Sequence, residues 1–132
     1  MDIHKIKNIL WQEVVNSQEF KEDTKTFYVA SAVLDHKGRI LSIAANSERK
    51  THPLMKIYSE AIGGKHKIYL HAEIAALVKN RGDAESIIVI RVTRHKTLAL
   101  AKPCPICQMA IEKAGIQRIY YTDIDGDLVI AA

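Results

Sequence analysis

Cysteine is nearly missing from this chain of 132 residues: there are two, both in the Cys104-x-x-Cys107 pair. A secreted scaffold stapled by disulfides needs more, so the two thiols read as reduced, available to a metal, and cytoplasmic. Long hydrophobic runs are missing as well. No stretch approaches the roughly 20 apolar residues that cross a bilayer, so no membrane segment is expected. Met1 to Leu10 carries Asp2, His4, Lys5 and Lys7 without an apolar run, which suits neither a signal peptide nor an anchor. Large aromatics are scarce, with two Phe and one Trp, and they do not interleave with basic residues in the manner of a surface that tracks single-stranded nucleic acid. Charge is only mildly one-sided. A net charge of +4 favours anionic ligands such as phosphate-bearing nucleotides or nucleic acid, without requiring either. No repeat, linker or low-complexity segment is visible.

What is present suits one ordinary globular domain over residues 1–132, with 48% hydrophobic and 26% charged residues. At this length a core can form without covalent staples. Asp2 can cap a helix whose apolar positions Ile3, Ile6, Leu10 and Val14 recur at helical spacing. Gln18 to Lys25 is charged and reads as a loop. Thr26 to Leu34 reads as a strand, Asp35-His36-Lys37-Gly38 as a turn, and Arg39 to Ala45 as the returning strand of a hairpin. A polar loop follows from Asn46 to Lys56, then a short helix from Leu54 to Ile62 ended by Gly63-Gly64.

Tyr69 to Lys79 is expected to be helical, with Ile74, Leu77 and Val78 on its buried face. Ser86 to Val92 is almost wholly apolar and suits a strand covered on both sides. Thr93 to Lys96 opens a loop. Cys104 to Ala114 reads as a helix, because Pro103 and Pro105 suit its start and Gly115 its end. Ile116 to Thr122 and Leu128 to Ile130 read as strands around the Asp125-Gly126 turn. The order α-β-β-α-β-α-β-β predicts a three-layer α/β/α domain around a central mixed sheet of about five strands.

Two short stretches carry chemistry: His71-Ala72-Glu73 and Pro103-Cys104-Pro105-Ile106-Cys107. One imidazole and two thiolates are borderline-to-soft donors that suit Zn²⁺, and three protein ligands leave a fourth position for water. Cys104 and Cys107 are spaced i, i+3, so both can face one point from the first turn of a helix. The helix N-terminus carries partial positive charge that favours the thiolates. His71 opens the other helix. Two strand–helix units side by side would bring both helix starts to one edge of the sheet, where ligands bind in open α/β folds. Glu73 stands two residues from the imidazole, close to the metal without ligating it. A closed four-ligand structural zinc would need another donor such as His66 or His95, and neither has motif spacing. A redox pair would have no use for His71 and Glu73.

The pattern His-x-Glu followed by Pro-Cys-x-x-Cys is the signature of the zinc nucleobase deaminases. From Asn46 to Tyr121 the chain resembles the cytidine/deoxycytidylate deaminase superfamily, which includes the tRNA adenosine deaminases. The matching words are Leu70-His71-Ala72-Glu73-Ile74-Ala75-Ala76, Lys102-Pro103-Cys104-Pro105-Ile106-Cys107 and Ala114-Gly115-Ile116-Gln117-Arg118-Ile119-Tyr120-Tyr121. The resemblance implies a cytidine-deaminase-like fold and hydrolytic release of ammonia from a base. It implies Zn²⁺ on His71, Cys104 and Cys107, attack by zinc hydroxide, and Glu73 as the catalytic proton shuttle. It also implies that the N–H of Ala72 helps hold the base and that Asn46 contacts sugar or base. Family members are often homo-oligomers, dimers or tetramers.

Histidine at position 71 resembles the deoxycytidylate and tRNA-editing branches. The ending Tyr121-Thr122-Asp123-Ile124-Asp125-Gly126-Asp127-Leu128-Val129 resembles a hairpin, where editing enzymes usually carry a final helix. Substrate choice would rest with two loops, Asn46 to His52 and Arg91 to Lys96, which hold Arg49, Lys50, His52, Arg94 and His95; His52 is the expected substrate contact. The favoured substrate is a small cytosine nucleoside or nucleotide. The alternatives are a base within RNA or single-stranded DNA, and guanine or another purine.

Overall fold

Apolar residues three and four apart begin the chain, and in the computed structural model they form α1, Ile3–Val15, burying Ile6, Leu10 and Val14. The structure describes residues 3–22, 28–46, 71–79 and 82–131. The stretch expected to be a loop from Gln18 instead begins with a short helix, α2, Gln18–Glu22. Its start explains the difference. The Ser17 Oγ accepts the N–H of Phe20 at 3.2 Å, and the Gln18 side-chain amide donates to Glu22 Oε1 at 2.6 Å. A cap and an i, i+4 pair hold one turn of helix that composition alone disguises.

The hairpin follows as expected: β1, Tyr28–Leu34, pairs antiparallel with β2, Ile40–Ala45. Asp35 organises the turn. Its Oδ1 accepts the N–H groups of Lys37 and Arg39 at 2.9 and 2.8 Å, and its Oδ2 takes the Arg39 guanidinium at 2.8 Å. Gly38 sits at φ 79°, where a side chain would be strained. The helix expected over Leu54–Ile62 lies outside the described residues.

The remaining described elements are α3, Ala72–Lys79; β3, Ser86–Val92; β4, Leu98–Ala99; α4, Pro105–Lys113; β5, Arg118–Thr122; and β6, Leu128–Ala131. The two-residue β4 was not anticipated; it is held by pairing with Arg91 and Val92 rather than by its own composition. Among the described residues the sheet has six strands in the order β2-β1-β3-β5-β6, with β4 paired to β3. Only β3 and β5 are parallel among its pairings, so the sheet is mixed.

Alternation along the central strands builds the layers. Ile88, Ile90 and Val92 of β3 join Tyr28, Ala30, Ala32 and Leu34 of β1 against α1. Ile87 and Val89 join Val33 on the other face, against Ala75 and Ala76 of α3 and Ile111 of α4. This is the expected α/β/α arrangement. On the α1 face, the indole N–H of Trp11 donates to the carbonyl of Lys96 at 2.8 Å, tying α1 to the 93–97 loop, where Lys96 itself holds φ 67°.

Direction matters for the site. Both β2 and β3 run antiparallel to β1, so they point the same way. The chain leaves each at the same edge of the sheet, on its way to the start of α3 or of α4.

Candidate metal centre

Each helix start presents its chemistry from just outside the first turn. The carbonyl of His71 accepts the N–H of Ala75 at 2.9 Å, so His71 caps α3. Cys104 caps α4 with φ −69° and ψ 166°, and Pro105 takes the first helical position, where its missing N–H costs nothing. The Cys104 sulfur makes no capping bond and is left to point elsewhere. Cys107 is buried three residues on. The two helix starts are packed together by Ile74 of α3 and Ile106 and Ala110 of α4, with Cys107 in the same cluster.

Two buried serines dock α3 on the sheet. Ser31 of β1 donates to the carbonyl of Ala72, and Ser42 of β2 donates to the carbonyl of Ala76, each at 2.7 Å. They seat one side of the helix, a turn apart, and Ser31 does so at the peptide between Ala72 and Glu73.

The three donors converge. The ligand atoms of His71, Cys104 and Cys107 lie within 4.8 Å of one another. His71 Nδ1 is 3.2 Å from the Cys107 sulfur and 3.5 Å from the Cys104 sulfur. Zinc bonds of about 2.1 Å to nitrogen and 2.3 Å to sulfur at a tetrahedral angle place those atoms about 3.5 Å apart. The donor set and its spacing therefore fit zinc, with Nδ1 as the nitrogen facing both sulfurs. Neither His95 nor any other described residue joins the group as a fourth donor.

The electrostatics agree with a cluster made for a cation. The Cys107 thiol donates to the Cys104 sulfur and, with His71 beside it, holds the Cys104 thiol down at about 4. Cys107 is pushed up, first by that shared proton and then by burial. The neighbouring Cys104 raises the His71 imidazole. Glu73 is 5% exposed, and burial lifts its carboxyl above the ordinary carboxylate range, with His71 opposing the shift.

Beside the cluster lies a cavity of about 260 Å³. His71, Ala72, Glu73 and Cys104 form its chemical wall, and Val29, Leu100 and Ala101 give apolar surface. Asn46, at the end of β2, lines it too, with its Oδ1 anchored by the N–H of Val29 at 3.0 Å.

The model of the cytidine and deoxycytidylate deaminase zinc-binding region matches residues 5–123. The chain belongs to that family. The chain is similar in fold to the crystal structure of a Glu-to-Gln mutant cytidine deaminase from Mycobacterium tuberculosis, with a TM-score of 0.52 at 18% identity. That match covers 92% of this chain and 84% of the other. No curated protein matches the chain by sequence.

Of the residues singled out in the sequence, the structure brings together His71, Ala72, Glu73, Cys104, Cys107 and Asn46. His52, Arg49 and Lys50 lie outside the described residues. Arg94 and His95 are exposed on the 93–97 loop and are not among the residues lining the cavity. Among the described residues, Arg91 and Lys102 are the lysine and arginine that line it. A signal for Arg91 was present: it is the one charged residue in the apolar run Ser86–Val92.

Proposed function

We propose that this protein is a zinc-dependent deaminase that hydrolyses the exocyclic amine of a small cytosine nucleoside or nucleotide, releasing ammonia. One observation carries the reading: Glu73, a buried carboxyl with no structural ion pair among the described residues, lines a small cavity together with two of the three zinc-fitting donors. His71, Cys104 and Cys107 would hold the zinc. Bound there, zinc supplies the Lewis acidity that brings the pKa of water towards neutrality.

The remaining work falls to the chain. Glu73 takes a proton from the attacking water and delivers it to the ring nitrogen, then moves the proton of the newly added hydroxyl to the exocyclic amine, which leaves as ammonia while the ring carbonyl forms. A carboxyl lifted by burial suits both directions of transfer near neutral pH. The base occupies the pocket against Ala72 and Asn46, with His52 proposed as a further substrate contact. A free substrate is favoured over a polymer by the size of the cavity and by the scarcity of stacking aromatics. The reduced thiols suit a cytoplasmic setting, and a homodimer or homotetramer is the assembly the resemblance implies.

The test is ammonia release from cytosine, cytidine, deoxycytidine, their monophosphates, adenosine and guanine, by zinc-loaded wild type and by Glu73→Gln. Turnover of a cytosine compound is expected, and Glu73→Gln should keep stoichiometric zinc while losing about 10²–10⁴-fold in rate. A Glu73→Gln protein as fast as wild type would refute the assignment. Release from adenosine or guanine alone would overturn the choice of base.

A further inference from the structure

We infer that Leu100 is a substrate-contacting residue, the apolar wall against which the face of a planar base packs, and that Thr122 positions it; this rests on the deaminase reading of the same cavity. The parallel pairing of β3 and β5 stops at Val89 and Tyr121. One residue further, another segment fills the gap between the two strands. On the β3 side, Ala99 is in register with Arg91. On the β5 side, Thr122 takes hold twice. Its Oγ1 donates to the Ala99 carbonyl at 2.5 Å, and its own carbonyl accepts the N–H of Ala101 at 2.8 Å. Thr122 is fully buried, so its hydroxyl has no water to turn to and stays on that carbonyl. Leu100 stands between the two anchored peptides.

Its neighbours are spent on the fold. Leu98 packs on the α1 core and Ala101 on the core beneath α3 and α4. Leu100 belongs to neither cluster, remains 46% exposed, and lines the cavity. A lone leucine on open surface needs no explanation. Of the large exposed apolar side chains described, however, Leu100 is the one that lines this cavity, alongside Val29 and Ala101. Polar groups fix the edge of a base, whereas its ring faces gain by leaving water against an alkyl side chain. A sugar, with hydroxyls around its ring, gains less there. Because Thr122 sets the backbone on both sides in advance, little freedom is lost when the base arrives.

Binding tests this separately from turnover. Zinc-loaded Glu73→Gln protein is the parent, titrated with cytidine and with free cytosine. Adding Leu100→Ala should weaken both ligands by the same factor, about 5- to 10-fold, as expected for half the burial of a leucine side chain. Thr122→Val, which keeps the shape and loses the hydroxyl, should weaken both in the same direction, and Thr122→Ser, which keeps the hydroxyl, should bind like the parent. The double variant Leu100→Ala/Thr122→Val should bind no more weakly than Leu100→Ala alone, because Thr122 acts through Leu100. Zinc content should be unchanged throughout. Half-exposed Leu100 keeps the test decisive if a Thr122 variant fails to fold. Parent-like binding by Leu100→Ala, a loss confined to cytidine, or no binding of either ligand by the parent would overturn the contact with the base. Losses that multiply in the double variant would overturn the role of Thr122. Absence of ammonia release by wild type, with the binding pattern intact, would overturn the deaminase reading and leave the apolar wall standing; ammonia release without that pattern would do the reverse.

Discussion

Replacing Ser31 with Ala removes one hydroxyl from a fully buried position and should be felt at the metal. The Ser31 Oγ donates to the Ala72 carbonyl at 2.7 Å, on the first helical residue, directly after the ligand His71. That carbonyl keeps its helical partner, the N–H four residues on, so it is not orphaned and the loss is that of one ordinary buried bond, about 1 kcal/mol. For a domain of this size that lowers the melting midpoint by about 3–6 °C.

Ser42 provides the control. It makes the same bond at the same length to Ala76, one turn further from the metal. Thermal melts of the zinc-free proteins should show similar losses for Ser31→Ala and Ser42→Ala. Zinc affinity, measured by competition with a chromophoric chelator, should fall about tenfold for Ser31→Ala alone, the lower end of what losing an outer support costs a metal site. Equal zinc affinities for the two variants would refute the claim that Ser31 positions the ligand. Unchanged melting in both would refute the claim that the serines hold the helix.

Cys104, held at about 4 in the metal-free protein, should be alkylated by iodoacetamide at a rate nearly independent of pH from 5.5 to 8. An ordinary thiol speeds up about tenfold per pH unit in that range, and such a slope at Cys104 would contradict the thiolate. Cys107, which keeps its proton, should react far more slowly, and zinc should protect both. Asp35 is held below the usual carboxylate range, first by the Arg39 N–H, then by the Arg39 side chain and the Lys37 N–H, against the cost of burial. A lowered carboxylate stabilises the fold above its unfolded pKa and loses that contribution as pH falls through its folded one. Asp35→Asn should therefore melt lower than wild type at pH 7, with the gap closing below about pH 4. A gap that persists in acid would assign the effect to packing instead.

Much of the architecture was legible wherever one physical rule acted alone. Ile6, Leu10 and Val14 declare a helix by spacing, and the run Ser86–Val92 declares a strand buried on both faces. The metal donors were legible because their chemistry admits few residue types. Rules in competition hid the rest. α2 is charged like a loop, and only the Ser17 cap and the Gln18–Glu22 pair reveal it as helix. β4 has no pattern of its own and exists by pairing with Arg91 and Val92. Arg91 stands both at the end of an apolar strand and at the start of the 91–96 segment expected to set specificity, and it lines the cavity, while Arg94 and His95 of the same segment stand outside the lining.

The chain contains a single tryptophan, Trp11, and its indole is fixed to the backbone of Lys96. That loop joins β3, which carries Arg91, to the segment that carries Leu100 and Lys102. The molecule thus has an intrinsic fluorophore wired to the pocket through one peptide carbonyl, reporting from the opposite side of the sheet. Any shift of the 93–97 loop on ligand binding is readable from native emission alone, with no label added.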